Sequence, residues 1–252
     1  GAGVNTLGLF VQDDWRINAG LTAIVGLRFD VAEVIEGDHP LVGFRERNEQ
    51  RSAFSGNIGL VKKVSENTRL SANIGRAFRM PSAEEMFSET ISCKGIKKGN
   101  PDLRPEYGWN VDVGWRGNVS GLEFDAALFT NFLLDYINEI KTGTPGEDYF
   151  TYSNVKARIS GAELSLQRRF KHIFGWMGHS LIPQMIVEYA YGEDISGKDS
   201  WFDRGEALHG IPPLQVKTAL HYAAYRTSGS FLYNYHAEIN LDYAAEQDRI
   251  PD

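Results

Sequence analysis

The chain has 252 residues and a formal net charge of -7, from 26 basic and 33 acidic side chains, so it carries no electrostatic footprint for nucleic acid. Apolar residues at 42% and charged residues at 23% exclude a disordered polymer. The single cysteine, Cys93, excludes an internal disulfide framework, and no run reaches the ~18 to 20 apolar residues of a membrane helix.

A membrane β-barrel stays open, because its strands show only alternating segments of about 10 residues. The opening GAGVNTLGLF has neither the basic start nor the apolar core of a secretory signal. Alternation begins at residues 7–16. In 21–31, Leu21, Ala23, Val25, Leu27 and Phe29 oppose Thr22, Gly26, Arg28 and Asp30. Segments 53–63 and 68–79 follow. In the latter, Leu70, Ala72 and Ile74 share one face, and Arg69, Ser71, Asn73 and Arg79 the other. In 106–117, Tyr107, Trp109, Val111, Val113 and Trp115 oppose Gly108, Asn110, Asp112, Gly114 and Arg116. Further segments lie at 121–139, 153–169, 180–192, 214–226 and 230–246. In the last, Phe231, Tyr233, Tyr235, Ala237, Ile239, Leu241 and Tyr243 oppose Asn234, His236, Glu238, Asn240 and Asp242.

These segments exceed the usual ~5 or 6 residues of a soluble strand, and aromatics gather near their ends. Their links alternate: 17–20, 64–67, 118–120, 170–179 and 227–229 are mostly tight, whereas 32–52, 80–105, 140–152 and 193–213 are mostly long. Outer-membrane barrels sort their loops this way, with short periplasmic turns and long extracellular loops, and a soluble sandwich has no reason to. The expected fold is therefore all-β, an antiparallel transmembrane β-barrel portion of about ten strands. Val111, Val113, Leu122, Phe124, Leu128, Ile239 and Leu241 are expected to face lipid. The loop polarity puts both chain ends outside the cell, so this chain is expected to be a piece of a larger barrel.

One long link, FRMPSAEEMFSETISCKGIKKGNPDLRPE, is bounded by prolines at both ends. Arg79 and Glu106 fall on the lumen face at the outer ends of neighbouring strands, where a cross-strand ion pair is expected. Pro81, Pro101 and Pro105 are expected beyond the ladder, where a missing N–H costs nothing. They either terminate the strands or present a fixed loop edge to a ligand.

NIGRAFRMPSAEEMFS followed by GNPDLRPE resembles the paired boxes of TonB-dependent outer-membrane receptors. LGLFVQDDWRINAGLTAIVGLRFD, YSNVKARISGAELSLQRRF and ALHGIPPLQVKTALHY resemble other barrel signatures of that family, in the family's order. The resemblance implies a 22-stranded barrel around an N-terminal plug. It implies an outer-membrane location and contact with the bilayer and lipopolysaccharide. The function it implies is capture of a scarce ligand outside the cell and import with energy from the TonB complex. The chain is expected to be partial receptor barrel over 1–252, lacking the plug, the TonB box and flanking strands. No resident cofactor is implied.

The ligand class is expected to be an iron complex or a similar small molecule, with a ferric siderophore first. Arg45, Arg47 and Arg51 in one outer loop, and Trp201, Phe202 and Arg204 in another, are either ligand contacts or ordinary solvated loop residues. Arg79 joins them as a candidate. The FRMP and NPDL boxes also resemble those of haem receptors, which carry a histidine between them. Here Cys93 stands there, beside Lys94, Lys97 and Lys98, as either a thiolate ligand to haem iron or a stray loop residue. His39 and His209 lie in other outer loops. An outer-membrane barrel enzyme and an adhesive surface barrel are the rival classes. The sequence has no Gly-x-Ser-x-Gly elbow and no His-Glu-x-x-His, and Asp13 and Asp14 point to opposite faces of a strand, so no enzyme is expected.

Overall fold

The alternating segments form one continuous antiparallel ladder. The structure, a computed structural model, describes residues 2–36, 47–92, 95–142, 149–173, 178–208, 210–212, 214–228 and 231–244. The long strands are β1 (Ala2–Asn18), β2 (Leu21–Glu36), β3 (Arg47–Lys63), β4 (Thr68–Arg79), β7 (Glu106–Val119), β8 (Leu122–Thr142), β9 (Tyr149–Arg168), β11 (His179–Asp194), β13 (Gln215–Ser228) and β14 (Phe231–Ala244). Each pairs with the next in that order, and among the described residues the ladder ends at β1 and β14. The link between β4 and β7 holds helix α1 (Ala83–Phe87) and the small hairpin β5 (Glu89–Ser92) and β6 (Gly95–Lys98). Two-residue strands β10 (Phe170–Lys171) and β12 (Glu206–Ala207) both attach to β11.

Register fixes the faces. Leu60 pairs with Ala72, Ala72 with Val113, and Val113 with Leu128, so these side chains share one side of the sheet. That side is apolar and open: Leu9 is 69% exposed, Ile58 56% and Leu128 65%. A continuous exposed apolar face suits a hydrocarbon environment and not water. Val119 and Trp109 lie on it ten residues apart, both exposed. That spacing spans about 25 Å along the axis of a barrel with tilted strands, the height of a lipid-facing band. Trp115 meets Phe124 edge-on at 4.7 Å near the lower end. The expected outward residues Val111, Val113, Leu122, Phe124 and Leu128 all fall on this side, and Ile239 and Leu241 pair in register with Leu220 and Thr218.

The opposite face is polar. Asn73 donates to Asp112 at 2.9 Å, and Lys217 meets Glu188 at 3.0 Å. Among the described residues, no second sheet packs against either face. Among the described residues, a buried apolar cluster of Met86, Leu103 and Ile137 sits where the β4–β7 link packs on the outer part of β8. A sandwich would place its core between sheets, so the barrel-wall reading holds. Among the described residues no helix is long and apolar enough to cross a membrane.

Tight turns close one end of the ladder. Ser120 and Gly121 both have positive φ, +53° and +84°, the backbone of a two-residue hairpin turn that matches strand twist. Asn118 Oδ1 accepts from the Gly121 N–H at 3.0 Å. At the other end the strands run further than alternation indicates: β3 begins at Arg47, not at residue 53, and β8 and β9 reach Thr142 and Tyr149. Above the bilayer both faces meet polar surroundings, so the apolar–polar pattern fades while backbone pairing continues.

Candidate functional site

The outer rim is organised by Arg79. Its guanidinium takes Glu106 in a bidentate grip, Nε to Oε2 and Nη2 to Oε1, both at 2.7 Å. Arg79 and Glu106 are direct register partners on β4 and β7, as the sequence leads one to expect. Nη1 reaches Glu85 Oε2 on α1 at 2.8 Å, so one cation joins two strands and the loop between them. Glu106 Oε1 also accepts the Ile137 N–H of β8 at 2.7 Å.

Glu85 is held from two directions. Its carboxylate accepts the Ser82 N–H at 2.7 Å, and Ser82 Oγ accepts the Glu85 N–H at 3.2 Å, a capping box that starts α1. Burial opposes ionisation of Glu85, but Arg79 and the Ser82 N–H hold its carboxyl below the usual range. The bond to Glu106 keeps the Arg79 guanidinium firmly charged. Burial, then the Glu106 carboxylate, pushes the Tyr136 phenol up.

The far end of the loop is pinned as well. Asn100 N donates to Glu85 O at 2.8 Å, and Asn100 Nδ2 to Tyr152 O at 2.9 Å. Asn154 on β9 closes a reciprocal pair with Arg104, accepting its N–H at 2.8 Å and donating to its carbonyl at 3.0 Å. The same amide donates to the Asp135 carbonyl at 2.7 Å, where a bulge gives Asp135 a φ of +56°. Arg51 donates to Leu103 O at 3.0 Å. Lys97 meets Glu139 at 2.6 Å and lies over the Tyr152 ring, and Glu139 first, then Tyr152, keeps its ammonium charged. Gly99 is required here, since an added Cβ would lie 2.7 Å from the backbone of Met86 and Phe87. Pro81, Pro101 and Pro105 all lie outside the strands. The proline-bounded stretch is therefore a folded strut laid across β8 and β9, with its chain entry and exit locked by one arginine.

A second cluster forms where the link after β11 folds back. Arg158 of β9 pairs with Glu193 of β11, both largely buried, and its Nη1 donates to Trp201 O at 2.8 Å. The Trp201 ring meets Phe132 edge-on at 5.4 Å and lies under the Lys156 ammonium at 4.2 Å. Trp109, Phe132, Arg158 and Glu193 are successive register partners, so this cluster shares the side of the sheet that carries the apolar band.

The candidate residues thus fall at separate places. Arg79 sits at the centre of the rim. Trp201 and the exposed Arg204 belong to the folded-back link and are not brought to Arg79. Arg47 opens β3 opposite Glu36. Arg45 and Cys93 lie outside the described residues, as do His39 and His209. Sequence reasoning missed Glu85 as a third member of the rim network, although Ser82-Ala83-Glu84-Glu85 is a capping-box signature. Asn154 stands inside the YSNVKARISGAELSLQRRF signature, but its pairing with Arg104, fifty residues away, shows only in the structure.

Residues 1–252 match the family described as TonB dependent receptor-like, beta-barrel. The chain is 28% identical over 123 residues to the vitamin B12 transporter BtuB of Vibrio vulnificus (strain YJ016), covering 47% of this chain and 19% of that protein. It is 24% identical over 163 residues to transferrin-binding protein A of Haemophilus influenzae (strain ATCC 51907 / DSM 11121 / KW20 / Rd), covering 60% and 17%. Among solved structures, the copper transporter OprC superimposes with a TM-score of 0.76 at 24% identity, covering 99% of this chain and 36% of that one. The chain therefore spans about a fifth of the curated relatives it matches.

Proposed function

Because this chain belongs to the TonB-dependent receptor β-barrel family, we propose that it forms part of the wall of an outer-membrane receptor that captures a ferric siderophore and imports it with energy from the TonB complex. Proteins of this family are outer-membrane transporters and not enzymes. The wall reading rests on the two-sided ladder, apolar outside and polar inside. Ligand capture is supported above all by the rim network of Arg79, Glu85 and Glu106, which ties α1 of the 26-residue link to the strand ends on both sides of it. A rigid mouth lowers the ordering cost of binding. Arg45, Arg47 and Cys93 are proposed to complete the ligand surface. The plug, the remaining strands and the TonB contact belong to the full-length receptor.

Relatives differ in what their names say they take: vitamin B12, transferrin and copper. The siderophore reading is tested by uptake. Cells lacking their own iron receptors express the full-length protein and are offered iron-labelled catecholate and hydroxamate siderophores, haemin, cobalamin and copper(II), with and without TonB. TonB-dependent uptake of a ferric siderophore supports the reading. Uptake of haemin that is lost in Cys93→Ser makes the protein a haem receptor instead, and uptake of cobalamin or copper alone refutes the siderophore assignment.

A further inference from the structure

The link after β11 folds back onto the sheet. Its first residue, Ile195, is fully buried and donates to Lys156 O on β9 at 2.8 Å, while Lys156 N donates to Ser196 Oγ at 2.9 Å. Its end is stapled too, since Glu206 and Ala207 pair with Asp194 and Glu193. Between the staples the chain lies on the outer side of the sheet. Trp201 is clamped there by Phe132, Lys156 and Arg158, and the next residue, Phe202, is 78% exposed with its ring 6.0 Å from that of Phe132. Phe132 is the register neighbour of Trp109, and Tyr189 and Tyr191 stand exposed below Glu193 on the same side of β11. Phe202 thus extends the aromatic edge of the lipid-facing band.

An exposed phenylalanine held rigidly in water is unfavourable, and at the boundary between acyl chains and headgroups it is favoured. Within residues 198–204 the charges balance, Lys198 and Arg204 against Asp199 and Asp203. We infer that the segment Ser200–Arg204 is a membrane anchor, with Phe202 inserted at the headgroup boundary of the outer leaflet and Trp201 as its rigid base. This goes beyond the receptor reading and assigns Trp201 and Phe202 to lipid.

The test uses the full-length receptor, cysteine-free, in phosphatidylethanolamine–phosphatidylglycerol vesicles. An environment-sensitive fluorophore is attached at Phe202→Cys and, for comparison, at Ile91→Cys, which is 80% exposed on β5 in the β4–β7 link. The label at 202 is expected to be quenched by lipids carrying a nitroxide near the headgroup and to resist aqueous iodide at least about threefold better than the label at 91. Equal iodide quenching at both positions overturns the inference, because Phe202 then faces water. Resistance to both quenchers also overturns it, because protein then covers the residue. Should Phe202→Cys fail to insert, the same pair of quenchers read at Arg204→Cys decides the matter in the same way.

Discussion

Arg79 answers for the rim one bond at a time. Its removal leaves Glu106, 7% exposed, with one partner fewer and Glu85 without its cation. Arg79→Ala is expected to destabilise the receptor by about 1–3 kcal/mol, the cost of leaving a buried acceptor unmet. Arg79→Lys should lose most of that, since a point charge cannot reproduce a bidentate fork. Equilibrium urea unfolding of the full-length receptor in vesicles measures both. Glu85 adds a pH dependence. Its folded pKa is depressed, so its contribution is present above the unfolded value of about 4.3 and is lost as pH falls through the lower folded value. A spin label at the exposed Glu84→Cys should stay immobilised through the ordinary carboxylate range and loosen only as the pH falls through the lower folded value. In a Glu85→Gln background the step should vanish. The Arg79–Glu106 pair was legible because strand parity and a short count to each proline fixed both residues. Glu85 was not, because its position depends on where α1 settles, although its capping signature stood in the sequence.

Elements show where sequence pattern carries information and where it stops. Within the bilayer every second residue meets lipid, so Val111, Val113 and Leu128 declare their side unaided. Val113→Arg is expected to cost about 2–4 kcal/mol if it lies near the midplane, read as a shift in the urea midpoint of folding into vesicles. Asp112→Asn, on the opposite face and bonded to Asn73, should change stability by less than about 1.5 kcal/mol. Above the bilayer that contrast disappears. The extensions of β3, β8 and β9, the helix α1 and the hairpin of β5 and β6 carry no two-sided pattern, and long-range bonds decide them. The parallel pairing of β6 with Tyr149–Thr151 of β9 is one such bond. The course of the link after β11 is another: it follows the Arg158–Glu193 pair, which becomes visible only once the register of two strands is known.

At the scale of the whole molecule, ten long strands make a sheet with an apolar outside, a polar inside and an ordered rim. That arrangement explains why a chain of net charge -7 with no apolar run belongs in a membrane. It also explains why a buried apolar cluster lies between the β4–β7 link and β8 and not between two sheets. The most direct test is a nitroxide scan along β7, residues 108 to 115, in the full-length receptor reconstituted in lipid vesicles. Strict alternation is expected: labels at Trp109, Val111, Val113 and Trp115 accessible to dissolved oxygen in the bilayer, and labels at Gly108, Asn110, Asp112 and Gly114 shielded from lipid. A scan with no period of two, or with the two sets exchanged, contradicts the barrel wall and every assignment built on it.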